Sequence, residues 1–145
     1  PASAVFTMHG EGTLGDNITC LVQTNTTPIL AGLHPATAGS GKEACSGDML
    51  LQALAACAGV TLNAVATAME IPYRKASVRA EGEVDFRGTL GVSKEVPIGF
   101  TNIRLHFDID TDEPKDKIDS LIRLTERYCV VYQTLKHPPE IATKY

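Results

Sequence analysis

The residues of this chain best suited to nucleophilic or redox chemistry are its four cysteines, Cys20, Cys45, Cys57 and Cys129. A thiolate is a strong nucleophile and a good metal ligand, whereas a buried thiol behaves as a small apolar side chain. The spacings match no zinc pattern of the CxxC kind, so we expect no metal. Each cysteine is predicted to be either a packed core residue or a reactive group.

Position along the chain separates these thiols. Cys20 lies in a run of β-branched residues and is interpreted as a packed strand residue. Cys45 precedes a helical segment that places its sulfur roughly 15 Å or more from that of Cys57, whereas a disulfide needs Cα atoms within about 7 Å. Cys57 lies mid-way along that helix, and Cys129 lies within or near a break in a second helix. Spacing alone leaves both as core residues or reactive groups.

The segment from Ser46 to Met69 is predicted to form a central buried helix. Ser46 is a favourable N-cap, Asp48 suits the positive end of the helix dipole, and Pro72 prevents continuation. About 23 residues at 1.5 Å each give a helix of roughly 35 Å. This length also fits a membrane span, but much of the apolar content is alanine, so we expect a core helix and no membrane partner.

Two amides interrupt this apolar helix. Gln52 and Asn63 lie three turns apart on one narrow face, and we expect them to point toward a polar seam or water. The rest of the circumference of this helix is apolar. This apolar surface is larger than one small sheet and one amphipathic helix can cover. The pattern therefore predicts a homodimer, in which a second copy covers the remainder.

Shorter elements flank the central helix on both sides. Alternating patterns predict a hairpin from strands at 4–12 and 18–24, an edge strand at 28–33, and an antiparallel pair at 78–86 and 102–109. Asp112 as N-cap and Pro114 in the first turn predict an amphipathic helix that continues to Leu135. Residues 141–145 are a candidate for one further strand. These elements indicate a single α+β domain over residues 1–145.

Charge and composition exclude several classes of function. A net charge of −4 with both signs spread along the chain lacks the clustered basic face that a nucleic-acid partner requires. Gly39 to Lys42 resembles a phosphate loop, but Ala36 and Glu43 stand where that motif needs Gly and Ser or Thr. The first residues carry no charged or apolar leader pattern, so we expect a cytoplasmic protein.

Two segments together resemble the OsmC/Ohr family of thiol-dependent peroxidases. One is the Ala-rich run Leu50–Cys57, and the other is Tyr128–Leu135, about seventy residues later. The similarity covers nearly the whole chain, because three strands precede the first segment and a strand pair with an amphipathic helix precedes the second. The resemblance implies an α+β fold with antiparallel sheets wrapped around a long central helix, in an intertwined homodimer.

The resemblance also implies a chemistry. An organic hydroperoxide would be reduced through Cys57 as the attacking thiolate and Cys129 as the resolving thiol, with a dithiol reductant, either a small molecule or a lipoyl protein, and no bound cofactor. Asp48 is the nearest match to a glutamate of the family that polarises the site. Val130 stands where a proline is usual, and no arginine precedes Arg74 to match the family's guanidinium.

The missing guanidinium leaves the activation of Cys57 open. A thiol with a pKa near 8.5 is only about 3% thiolate at pH 7, and apolar burial raises the pKa further. We expect a cation from Lys42, Arg74, Arg127 or a partner subunit. Two hypotheses follow: a dithiol peroxidase, favoured by the retained cysteines, or a non-catalytic dimeric small-molecule-binding module, favoured by the missing arginine.

Overall fold

The computed structural model describes residues 2–145 and shows a mixed α+β architecture around one long helix. The strands and helices in chain order are β1 Glu11–Gly15, β2 Thr19–Gln23, β3 Ile29–Gly32, β4 Ala44–Cys45, α1 Ser46–Ala68, β5 Lys75–Val84, α2 Phe86–Thr89, β6 Phe100–Asp110, α3 Lys115–Tyr128 and α4 Val130–Lys136. Short 3-10 turns lie at Ala2–Ala4 and Pro35–Thr37. The predicted α+β fold class is confirmed.

The N-terminal strands form a four-stranded sheet in the order β1-β2-β3-β4. The first two pairs are antiparallel, and the short β3–β4 pair is parallel. The predicted bounds of the hairpin were wrong: β1 begins at Glu11 rather than Ala4, and β2 begins at Thr19. Asn17 and Ile18 have positive φ angles of 56° and 60°, so both belong to the turn. Gly15 and Thr19 are the pair of the β1–β2 ladder next to this turn.

The second sheet is the antiparallel pair β5–β6, as predicted. Its polar side chains face outward, where Arg104 pairs with both Glu81 and Glu83. The strand β5 begins at Lys75, earlier than expected. It also ends earlier, because the Asp85 side chain accepts a hydrogen bond from the Arg87 N–H and caps α2. Phe86 is therefore helical rather than part of the strand.

The central helix α1 runs over 23 residues, and its predicted extent is confirmed to within one residue. Its N-cap is Cys45, without a side-chain cap bond, and Ser46 is already helical, so the predicted Ser46 cap was wrong. Its fully buried residues recur every fourth position, at Leu54, Ala58, Leu62 and Ala66. This stripe packs against β5, α3 and α4.

Much of the remaining circumference of α1 is uncovered within one chain. Val60 is 73% exposed, and Gln52 and Asn63 face outward as predicted. The Asn63 side-chain oxygen Oδ1 accepts a hydrogen bond of 2.7 Å from the Tyr73 hydroxyl. Among the described residues α1 alone is long and apolar enough to cross a membrane, a property that core helices share.

The core lies between α1, α3 and the β5–β6 pair. Leu62, Ala66, Ile71 and Leu121 form its buried centre, surrounded by apolar side chains of both strands. The predicted cap of the second long helix was wrong: Pro114 occupies the N-cap of α3, and Asp112 instead pairs with Arg74. Residues 141–145 are exposed and form no strand.

Candidate active site: two cysteines at a helix break

The second long helix is interrupted at Cys129, where the sequence placed a break. The Cys129 backbone is extended, with φ −75° and ψ 112°, so α3 ends at Tyr128 and α4 begins at Val130. The Cys129 sulfur caps α4 by accepting a hydrogen bond of 3.5 Å from the Tyr132 N–H. Its side chain is 1% exposed, so the break is a buried feature.

Cys57 lies against this break from the opposite side. It is half-buried in the middle of α1, which packs on both α3 and α4. The fold brings the two thiols close enough for each to affect the pKa of the other. The backbone N–H groups of Val131 and Val130, and the Thr61 hydroxyl one turn along α1, also lie near enough to the Cys57 sulfur to stabilise its thiolate.

These contacts lower the pKa of Cys57 below its ordinary value. Burial alone raises it, but the hydrogen bonds from Val131, Cys129, Val130 and Thr61 together outweigh that effect. A donor aimed at sulfur stabilises the thiolate more than the neutral thiol. Cys57 is therefore the thiol of the pair that ionises first.

The pKa of Cys129 is shifted in the opposite direction. Burial raises it most, and hydrogen bonding and charge repulsion from Cys57 add to the increase, while the Tyr132 and Val131 N–H groups only partly offset them. Once Cys57 has ionised, the remaining proton of the pair stays on Cys129. The opposed pKa shifts therefore assign Cys57 as the more readily formed nucleophile and Cys129 as its protonated neighbour.

A cleft of about 390 Å³ lies between α1, β6 and α4, and neither cysteine lines it. Leu54, one helical turn before Cys57, lies on its wall. The other lining side chains are Phe100, Thr101, Asn102, Ile103, Leu105, Glu126, Tyr132, Leu135 and Lys136. The lining mixes apolar and polar side chains, which suits a small ligand with an apolar body and a polar group.

Comparison with known proteins identifies the family of this chain. The family model described as OsmC-like protein matches residues 39–144. The chain belongs to the OsmC-like family. The matched segment contains both Cys57 and Cys129, and thus the whole candidate site. A search among curated proteins finds no match.

Solved structures similar to this OsmC-like chain share its fold. An OsmC-like protein from Mycoplasma pneumoniae is 20% identical with a TM-score of 0.77, covering 92% of this chain and 89% of its own. An organic hydroperoxide resistance protein OsmC from Legionella pneumophila is 17% identical with a TM-score of 0.71, covering 92% of each. An organic hydroperoxide resistance protein from Elizabethkingia anophelis is 15% identical with a TM-score of 0.73, covering 93% and 91%.

The structure places Asp48, the third predicted site residue of this OsmC-like chain, away from the two thiols. Asp48 precedes Cys57 by about two and a half turns of α1, roughly 14 Å along the axis and on the opposite side of the helix. It lines a second cleft of about 570 Å³ near the start of α1, together with Cys45 and His34. Within one chain, Asp48 therefore does not join Cys57 and Cys129.

The cations considered from the sequence are also placed elsewhere. Arg74 binds Asp110 at 2.5 Å and Asp112 at 2.8 Å, and Arg127 lies 5.5 Å over the Tyr128 ring. Among the described residues, the largest contributions that lower the pKa of Cys57 are hydrogen bonds rather than cationic side chains. Sequence reasoning missed the backbone donors, for which the one available signal was the predicted break at Cys129. No group of three His, Cys, Asp or Glu side chains within residues 2–145 could hold a metal.

The opposed pKa shifts of this OsmC-like site predict separate titration of the two thiols. We expect the alkylation rate of Cys57 to rise with pH and to reach half its maximum at a lower pH than for Cys129, because the lowered pKa leaves thiolate at lower pH. Cys129 should react only at higher pH. Iodoacetamide labelling across pH 5–10, with each peptide quantified by mass spectrometry, measures both. Equal midpoints for the two thiols would contradict the assignment.

Proposed function

We propose that the protein is a thiol-dependent peroxidase that reduces organic hydroperoxides through a Cys57 thiolate resolved by Cys129. The observation that carries the proposal is the closeness of Cys57 and Cys129 at the helix break, where the pKa of Cys57 is lowered and that of Cys129 is raised. A pair of structural core cysteines has no need of donors aimed at one sulfur. The similarity in fold to organic hydroperoxide resistance proteins supports the same chemistry.

The proposed cycle transfers two electrons. The Cys57 thiolate attacks the terminal oxygen of ROOH, the O–O bond breaks, and the alkoxide takes a proton and leaves as ROH. Cys57 becomes a sulfenic acid, which condenses with the Cys129 thiol to form a disulfide and release water. A dithiol, as a small molecule or a lipoyl group, then reduces this disulfide and becomes a disulfide itself.

The cleft between α1, β6 and α4 supports an organic substrate over hydrogen peroxide, because part of its lining is apolar. Burying the alkyl part of a hydroperoxide contributes roughly 25 cal/mol per Å² of apolar surface, a gain that hydrogen peroxide cannot make. Leu54 and Tyr132 line this cleft and precede Cys57 and follow Cys129, respectively, by one helical turn. Bulky hydroperoxides should therefore be consumed faster.

The decisive test of the proposed function is the oxidised state of the two thiols. After one equivalent of cumene hydroperoxide, thiol blocking and peptide mapping, we expect a disulfide between Cys57 and Cys129, with Cys20 and Cys45 still alkylated. In Cys129→Ser, the sulfenic or sulfinic acid of Cys57 should accumulate instead, because no thiol condenses with it. Complete alkylation of Cys57 after peroxide in both proteins would end the redox proposal.

A non-catalytic binding module on the same fold is the second candidate. The observation that favours it is the absence of an arginine before Arg74, together with the engagement of Arg74 by Asp110 and Asp112. Such a protein would bind a small apolar molecule in the same cleft and leave Cys57 reduced. The peroxide experiment above separates the two candidates directly.

We also propose that the protein acts as an intertwined homodimer in the cytoplasm. Every residue of β1 is exposed, Leu14 by 85%, and Val60 on α1 is 73% exposed. Leu14 and Val60 are apolar side chains on elements that the rest of the chain leaves uncovered. Asp48 stays a predicted polarising group, and we propose that it acts across the dimer, because it lies on the side of α1 opposite to Cys57 of its own chain.

The dimer makes a simple prediction. Sedimentation equilibrium at micromolar concentration should give a mass of twice 15.5 kDa, because the exposed face of α1 and the N-terminal sheet gain from mutual burial. Val60→Glu places a charge on that face and should weaken association. Thr143→Glu, in the exposed C-terminal tail, makes the same change of one negative charge and is the control. A single 15.5 kDa species for the unmodified protein would refute the dimer.

A further inference from the structure

The helix break at Cys129 has no proline to enforce it. Val130 follows Cys129, and a valine N–H is free to donate to the carbonyl four residues earlier. In a continuous helix that acceptor is the Glu126 carbonyl. The break therefore competes with an unbroken helix that the backbone at Val130 permits, and some other group must favour the broken form.

The Gln133 side chain donates a hydrogen bond to this Glu126 carbonyl. Its Nε2 donates to the Glu126 carbonyl oxygen at 2.8 Å, spanning the break from α4 back to α3. One position earlier, the Thr125 carbonyl is satisfied by the Cys129 N–H at 3.0 Å. The Thr125 and Glu126 carbonyls near the end of α3 are thus bonded without Val130, whose N–H lies near the Cys57 sulfur instead.

We propose that Gln133 is a positioning residue that keeps the helix broken at Cys129 and thereby keeps the Val130 and Val131 N–H groups on Cys57. Gln133 performs in this chain what a proline at position 130 would do elsewhere, by removing the acceptor rather than the donor. Its importance for catalysis rests on the proposed peroxidase function. Its effect on Cys57 does not, and can be measured without peroxide.

The bond between the Gln133 amide and the Glu126 carbonyl lies in a partly buried place. Glu126 and Gln133 are half-buried, so leaving the Glu126 carbonyl without a donor costs free energy. If the Gln133 amide is lost, the Val130 N–H can satisfy this carbonyl by extending α3 through the break. Cys57 then loses at least one donor, and its thiolate is less stabilised.

The test compares Gln133→Leu and Gln133→Glu with Thr134→Val. Leucine removes the donor, glutamate keeps the size and replaces the donor by an acceptor, and Thr134→Val removes a bond of 2.8 Å to the Val130 carbonyl on the same helix. The readout is the pH profile of Cys57 alkylation, quantified on its peptide. We expect the midpoint to move to higher pH and the rate at pH 7 to fall at least about threefold in both Gln133 variants, but not in Thr134→Val.

A second-site variant tests the reason for the shift. Val130→Pro suits the first position of α4 and cannot donate to Glu126, so adding it to Gln133→Leu should restore the break. The Val131 N–H then returns to Cys57, and we expect at least half of the lost alkylation rate to be recovered. A general loss of packing in Gln133→Leu would not be repaired by a proline.

The outcomes separate this proposal from the proposed function. Wild-type alkylation profiles in folded Gln133→Leu or Gln133→Glu would overturn it, and so would a double variant that recovers nothing. If circular dichroism shows that every Gln133 variant, including the double variant, is unfolded, Gln133 serves general folding and the proposal is also overturned. A wild-type protein without peroxidase activity that still shows the expected alkylation shifts would refute the peroxidase and leave the positioning role standing.

Discussion

Cys57→Ser should lower the rate of cumene hydroperoxide consumption with a dithiol reductant by about 10³-fold or more, because removing a nucleophile leaves only background chemistry. A serine hydroxyl does not ionise near neutral pH, so the donors around position 57 have no anion to stabilise. Cys20→Ser, on β2, is the matched control and should retain the wild-type rate. More than a tenth of the wild-type rate in Cys57→Ser would show that another group attacks the peroxide.

Cys129→Ser should separate the two halves of the same cycle. The first turnover needs only the Cys57 thiolate, so a burst of alcohol close to one equivalent per chain is expected. Later turnovers need the disulfide, and they should slow sharply as Cys57 advances to sulfinic acid. Rapid-quench measurement of the burst, followed by the steady-state rate, distinguishes these phases. Sustained wild-type turnover in Cys129→Ser would remove its role as the resolving thiol.

Leu121→Ala should lower the free energy of unfolding by about 2–5 kcal/mol, the largest stability effect we expect from a single substitution. Leu121 is 0% exposed and lies in the core centre with Leu62, Ala66 and Ile71. Truncation there removes buried apolar surface and leaves a cavity between α1 and α3. A domain of this size is stable by only about 5–15 kcal/mol, so the variant approaches the limit of folding.

Leu90→Ala provides the control for the core variant. Leu90 is 56% exposed in the loop after α2, and its truncation should change the free energy of unfolding by no more than about 0.5 kcal/mol. Urea denaturation at one fixed protein concentration measures both, since association contributes to apparent stability. A decrease in the free energy of unfolding of less than about 1 kcal/mol in Leu121→Ala would show that this core tolerates the cavity.

The parts of the fold that were predictable are those with a strong periodic signal. The uniform apolar run bounded by Pro72 located α1, and strict alternation located β5 and β6. The caps were less predictable, because Ser46 and Asp112 have suitable side chains but the backbone placed the caps at Cys45 and Pro114. Cap preference is a matter of about 1 kcal/mol, which tertiary contacts readily override.

The two sulfur atoms of the candidate site were singled out from the sequence, but the groups around them were not. Chain position and the family resemblance pointed to Cys57 and Cys129, and the fold places them near each other. The sequence search considered cations, whereas the groups that lower the pKa of Cys57 include the Val130 and Val131 backbone N–H groups, which every residue except proline carries. The role of Gln133 depends on a bond to a carbonyl seven residues earlier, which no local pattern indicates.

Stabilisation of a thiolate by main-chain N–H groups depends little on the side chains of the residues that carry them. Any residue other than proline at positions 130 and 131 keeps the amide in place. Short-range donation is also little affected by ionic strength, unlike attraction to an exposed cation. A search of this chain for charged side chains alone would therefore overlook the groups that lower the pKa of Cys57.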